Sequence, residues 1–221
     1  MTLGNLKELY EILLKEQGPS EWWPADSKEE IMIGAILVQN TNWQNAARSL
    51  ANLKALTNFQ RKQLVALGQP EILEAIRPSG FYRNKSQSLF EVLHWFAAWQ
   101  FDYQTIQANY GEDLRKTLLQ LRGIGEETAD VFLLYLFDQP IFIADSYARR
   151  LMEHVGLPTL PTYQSLKRLV PAEMKNFTIA EAQDFHGQID EFGKVWFRGG
   201  KRFEQSFLAD FSLLVEEGKD E

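Results

Sequence analysis

Cysteine is missing from this chain, and with it go disulfides, thiolate zinc sites and cysteine-held iron-sulfur clusters. Histidine is nearly as scarce: His94, His154 and His186 are scattered, make a poor metal set and read as surface or structural residues. No metal and no cofactor are therefore expected. Long apolar runs are lacking too. Nothing approaches the roughly 18–20 residues of a membrane span, and the N-terminus has no charged stretch leading into a greasy one. The expectation is a cytoplasmic monomer without membrane contact, nucleoid-associated if bacterial. β-Branched alternation is sparse, which leaves little material for sheet. There is no surplus of positive charge: a net charge of −7 and a pI near 5.1 argue mildly against nucleic acid. Net charge does not say where charges sit, however. The stretch GKVWFRGGKR, Gly193 to Arg202, holds four cations and no acid, either a solvated loop or a local phosphate-binding patch.

What is present is helix. Hydrophobic residues make up 45% of 221 residues, enough for one large domain or two small ones, and they recur at helical spacing. In NLKELYEILLKEQG, Leu6, Leu9, Tyr10, Leu13 and Leu14 form one stripe that stops at Gly18-Pro19, an amphipathic opening helix. SKEEIMIGAILVQN couples a Ser27/Glu30 capping box to a run apolar on nearly all sides, a buried helix. Thr57 to Gln60 and Thr178 to Glu181 repeat the capping signature. Further helices are predicted near 42–55, 70–76, 84–99, 111–120, 126–137, 145–155, 162–170 and 202–216, with turn-rich joints around 138–144 and 157–162. The fold class is all-α, and no repeat of solenoid period occurs.

LQLRGIGEETADVFLLYLF sets Gly123 and Gly125 between two helical stretches, the first ending at Leu121 or Arg122 and the second restarting by Glu126. Glycines reach backbone angles closed to other residues and let a second molecule approach their N–H groups. The N-terminus of the following helix points its positive end at the same place. The hairpin can thus grip a phosphodiester, with Ile124 tucked inward as its anchor, or it can be a plain helix-helix connection. Twenty residues beyond Gly125, FDQPIFIADSYARR supplies Asp145.

Leu-x-Gly-Ile-Gly-x-x-Thr-Ala resembles the helix-hairpin-helix of the endonuclease III (HhH-GPD) superfamily of DNA glycosylases. ILVQNTNW (36–43), GFYRNKSQSL (80–89), the Asp145 segment and FHGQIDEFGK (185–194) are similar to that superfamily's landmarks, in the same order. The resemblance implies two helical lobes with the active cleft between them: a continuous lobe, 27–138, containing the hairpin, and a second built from 1–26 plus 139–221. It implies double-stranded DNA with a damaged base as partner and Asp145 as the catalytic residue, although Asp145 also suits an N-cap. Gln39 and Phe81 are implied to fill the gap left by a flipped nucleotide, though Gln39 also fits a helix end and Phe81 a core position. Lys85, the Gly123, Ile124 and Gly125 backbone, Arg150, Lys201 and Arg202 are implied to lie against DNA.

Three departures sharpen this expectation. Glu127 stands where endonuclease III carries its catalytic lysine, and a carboxylate cannot form a Schiff base; the implied chemistry is base removal without strand cleavage. Phe197 falls roughly where an iron-sulfur cysteine would stand, so aromatic packing by Trp196, Phe197 and Phe203 takes the cluster's place. The usual Asp-Thr-His reads Asp145-Ser146-Tyr147, while Arg150 is kept. Trp22, Trp23 and Pro24, with Trp43 after the buried helix, fit core packing or a stacking pocket; they resemble the cluster-free 3-methyladenine DNA glycosylase branch, where such aromatics line the base pocket.

Overall fold

The computed structural model describes residues 2–170, 173–198 and 202–213. In chain order the elements are β1 (Thr2–Gly4), α1 (Leu6–Gln17), α2 (Lys28–Leu37), α3 (Trp43–Thr57), α4 (Arg61–Ala66), α5 (Gln69–Ala75) and α6 (Tyr82–Ala98). Beyond these come α7 (Tyr103–Tyr110), α8 (Leu114–Leu118), α9 (Glu126–Tyr135), α10 (Ser146–His154), α11 (Tyr163–Lys167), α12 (Ile179–Gly193) and β2 (Phe211–Leu213). The fold is all-α; among the described residues the exceptions are two three-residue strands, which pair in parallel with Thr2 opposite Phe211. Among the described residues no helix is long and apolar enough to cross a membrane.

The chain divides into two compact units, residues 1–24 with 140–221, and residues 25–139. In the second unit α2 is the central helix, packed against α3, α6 and α9. Met32, Ile33, Ile36 and Leu37 are fully buried on it, as a segment apolar on all sides must be. Ser27 caps it by accepting the Glu30 amide, while Glu30 reaches back to the Asp26 N–H rather than to the cap itself. In the first unit α12 carries α1 on one side and α10 on the other. Its start shows the full Thr178/Glu181 capping box.

Several boundaries differ from the sequence expectation. Thr57 does not begin a helix; it ends α3, its hydroxyl donating to the Leu53 carbonyl and accepting from Phe59 N–H. Instead of one helix over 111–120 there are α7, a 3-10 turn Gly111–Asp113 and α8, so the first hairpin helix stops three residues before Leu121. The helix expected at 202–216 is a 3-10 turn, Phe203–Gln205, followed by β2; its last residues lie outside those described. β2 closes the first unit twice over, pairing with β1 and donating from Leu213 N–H to the Val155 carbonyl at the end of α10.

Candidate active site and nucleic-acid interface

Asp145 caps α10. Its backbone is extended (φ −63°, ψ −176°), and Oδ1 accepts the Ala148 amide at 2.7 Å, satisfying an N–H group that the helix itself cannot. The carboxylate is 15% exposed, and Oδ2 lies 3.9 Å from Nε2 of His186, whose side chain is 9% exposed. Burial, and secondarily the charge of Lys194, push the His186 pKa down to about 4, so the imidazole beside Asp145 is neutral at neutral pH.

α12 assembles this site. His186, Asp190 and Lys194 follow one another at four-residue spacing along one face. Lys194 pairs with Asp190 and stands 4.8 Å over the Trp22 ring. At Gly187 the loop comes in so close that an added Cβ would lie 2.6 Å from the Trp22 Cβ; a side chain there would push the tryptophans away. The loop is held by Ser20 N–H on Asp184 and by Gln188, whose amide donates to the Gly18 carbonyl. Trp22 and Trp23 pack as a tilted pair with centroids 5.0 Å apart, each half-buried, with Pro24 exposed beside them. Tyr147 lies against Gly193, where an added Cβ would be 2.8 Å from the tyrosine Cβ. Burial raises the pKa of its hydroxyl.

Behind α12 the aromatic residues form a knot. Phe192 is its centre, within 5.5–6.2 Å of the rings of Trp196, Phe197, Phe203 and Phe207, and His154 stacks on Phe203 at 4.5 Å. The knot holds the π-helical turn Lys194–Arg198 in place. Arg150 is exposed and lies 4.6 Å over Phe197; Arg202 is exposed as well. Lys201 lies outside the described residues.

In the second unit the hairpin is built as glycine chemistry requires. Gly123 has φ +75°, and a Cβ on it would lie 2.9 Å from that of Ser88 on α6. Gly125 has ordinary extended angles and open space where a side chain would stand, so only access to its backbone calls for glycine there. The Gly123 and Gly125 N–H groups have no backbone acceptor among the described residues. Ile124 differs: its side chain is buried and its N–H bonds the Leu121 carbonyl at 3.1 Å. It anchors the turn, and both its side chain and its N–H are engaged within the protein.

Two further sequence assignments change. Lys85 does not face a phosphate. It is 5% exposed, and its ammonium donates to the carbonyls of Leu37, the last residue of α2, and Ser79, both at 2.8 Å. Burial brings its pKa down to about 8. Gln39, expected to enter the duplex, spends its amide on the Gly123 carbonyl (3.0 Å) and the Thr128 hydroxyl (2.9 Å), bracing the hairpin. Together these bonds fasten the end of α2 to the hairpin and to the turn before α6. Phe81 stands on that turn, 68% exposed, at φ +46°. A large exposed apolar side chain on a left-handed backbone is costly on two counts. Seven residues separate it along α6 from Ser88, about 10 Å at helical rise. Trp43 opens α3, half-buried.

Lys85→Met is accordingly expected to lower stability by about 2–3 kcal/mol through two orphaned carbonyls, read as an earlier thermal melt. The salt dependence of DNA binding, which reports phosphate contacts, is expected to stay as in the parent protein.

Sequence reasoning missed His186, Gly187, Tyr147 and Lys194. The available signals were the FHGQIDEFGK segment, which holds His186, Gly187 and Lys194, and the spacing of His186, Asp190 and Lys194, which any solvated helix face also shows.

A helical chain whose glycine hairpin opens one helix, and whose next helix is capped by a partly buried aspartate, has the architecture of the helix-hairpin-helix DNA glycosylases as a class. Comparison with known proteins narrows this. Residues 33–175 match the HhH-GPD superfamily of base excision DNA repair proteins. A protein of Methanocaldococcus jannaschii named "Putative DNA repair glycosylase MJ1434" is 36% identical over 93% of this chain and 94% of its own. Endonuclease III of Thermotoga maritima is 26% identical over 78% of each chain. Among solved structures, the 3-methyladenine DNA glycosylase MagIII of H. pylori, bound to 1,N6-ethenoadenine, superposes with a TM-score of 0.68 at 27% identity, covering 86% of this chain and 97% of that one. The chain belongs to the HhH-GPD superfamily of base excision DNA repair proteins, as a DNA glycosylase.

Proposed function

We propose that this glycosylase hydrolyses the N-glycosidic bond of alkylated purines such as 3-methyladenine in duplex DNA and leaves the strand intact. The observation that carries the reading is the pairing, on one unit, of the Asp145 carboxylate with the Trp22–Trp23 pair, both held by α12. Similarity to a 3-methyladenine DNA glycosylase supports the substrate class.

In the proposed reaction the damaged base leaves the stack and lies against Trp22, Trp23 and Pro24, and Trp43, on the other unit, is a further candidate for stacking. Aromatic stacking returns roughly 1–3 kcal/mol per base, and a cationic alkylpurine adds about 0.5–2 kcal/mol by cation–π attraction. Alkylation makes the base a good leaving group that departs neutral, so little acid catalysis is needed. The C–N bond breaks with its electron pair going to the base. Ionised Asp145 stabilises the cationic sugar and orients the water that completes hydrolysis. Glu127, exposed in the first turn of α9, gives the hairpin no amine for a Schiff base. Phe81 enters the gap, and the Gly123 and Gly125 amides, Arg150 and Arg202 hold the backbone, contacts that position without reading sequence.

The test is incubation with duplexes carrying different damaged bases, scoring free base and strand breaks separately. Free 3-methyladenine without breaks is expected. Release of an oxidised or mismatched base instead would move the substrate class, binding without release would leave a DNA-binding protein, and strand cleavage would overturn the argument from Glu127.

A further inference from the structure

We propose that His186 is the positioning residue for hydrolysis: in the DNA complex its Nε2–H donates to Oδ2 of Asp145 and holds the carboxylate plane while water attacks the sugar. This rests on the reading of Asp145 as the group that stabilises the sugar cation. The carboxylate is anchored through Oδ1 by the Ala148 amide at 2.7 Å, and a contact at Oδ1 does not by itself fix the tilt of the carboxylate plane. Oδ2, the oxygen not engaged by the cap, lies 3.9 Å from His186 Nε2, about 1 Å beyond a hydrogen bond. Active-site contacts of this kind are often long without substrate and tighten in the complex.

The imidazole is placed for that shift. It is 9% exposed, and the next residue, Gly187, is pressed against Trp22 and Ser20, so the ring is confined near the start of α10. Among the described residues, the charged groups near it include Asp145, the N-cap of α10, and Lys194 and Asp190 on its own helix. Burial and the nearby ammonium keep the ring neutral. That matters for the chemistry. An imidazolium would offset the negative charge that the cationic sugar requires, whereas a neutral N–H orients Asp145 without neutralising it. His186 gains and loses no proton in this scheme.

The experiment is single-turnover release of 3-methyladenine from methylated duplex DNA, with binding to a duplex containing an abasic-site analogue measured in parallel. His186→Phe, which keeps the ring shape without a donor, is expected to slow release by about 10- to 100-fold, the worth of one hydrogen bond to a charged group, with binding unchanged. His186→Gln, whose amide nitrogen has similar reach, is expected to recover most of the rate. A purely structural histidine would show the opposite: loss of melting temperature and binding, without a split between Phe and Gln. Wild-type rate in His186→Phe, or equal slowing in both variants, overturns the proposal. Should His186→Phe fail to fold, the ring nitrogen NMR signals of the wild-type protein bound to the abasic duplex decide: a proton on Nε2 supports the proposal and a proton on Nδ1 overturns it. If Asp145→Asn keeps its rate, the reading of Asp145 is wrong; if Asp145→Asn is dead and His186→Phe is normal, only this inference falls.

Discussion

Asp145→Asn is expected to slow base release by about 10²- to 10³-fold while the protein melts at nearly the parent temperature. Asparagine caps a helix as well as aspartate does, and its amide oxygen can accept the Ala148 N–H in place of Oδ1. What is lost, on the proposed mechanism, is the charge that stabilises the developing sugar cation. Asp145→Ala is the less informative change, because it also removes the cap, at about 1 kcal/mol. Single-turnover kinetics with thermal melting separate the two effects. An Asn variant with full activity would leave Asp145 with its capping role alone.

The largest stability effect is expected at Asp130. This carboxylate is 0% exposed on α9 and receives the Arg115 guanidinium of α8 at 2.7 Å and 3.4 Å, so it locks together the two helices that flank the hairpin. Asp130→Ala takes this carboxylate away from the Arg115 guanidinium and is expected to cost about 3–5 kcal/mol, nearer 3 because Arg115 is partly open to water. The urea midpoint should fall, and DNA affinity should fall with it as the Gly123–Gly125 turn loosens. Replacing both residues with apolar ones of similar volume is expected to recover much of the stability, since the ion pair itself contributes little beyond satisfying its own desolvation. If Asp130→Ala and the double replacement melt alike, the pair is not what holds the hairpin.

Local chemistry was legible in the sequence, and long-range placement was not. The stripe of α1, the apolar run of α2 and the Thr178 capping box each depend on residues within a few positions of one another, and each appears as read. The hairpin was legible for the same reason, including the inward turn of Ile124. Thr57 misled because a threonine hydroxyl can serve either end of a helix: it accepts an early amide at the start or donates to the carbonyl four residues back at the end. Lys85 misled because a sequence does not say whether an ammonium meets solvent or carbonyls, and here it meets two carbonyls, one 48 residues away in sequence. His186 reached Asp145 only through the packing of α12 on α10, which no local pattern encodes. The three-residue strands are too short for alternation to announce them, and they pair across most of the chain.

The way the two units divide the chain sets an order of events during synthesis. Residues 25–139 are contiguous, so the hairpin and its bracing bonds can form while the residues after 139 are still being translated. The unit bearing Asp145 needs Phe211–Leu213 to meet Thr2–Gly4 and the Val155 carbonyl. The unit with the glycine hairpin can therefore take shape first, and the unit bearing Asp145 waits for residues 211–213 to be made.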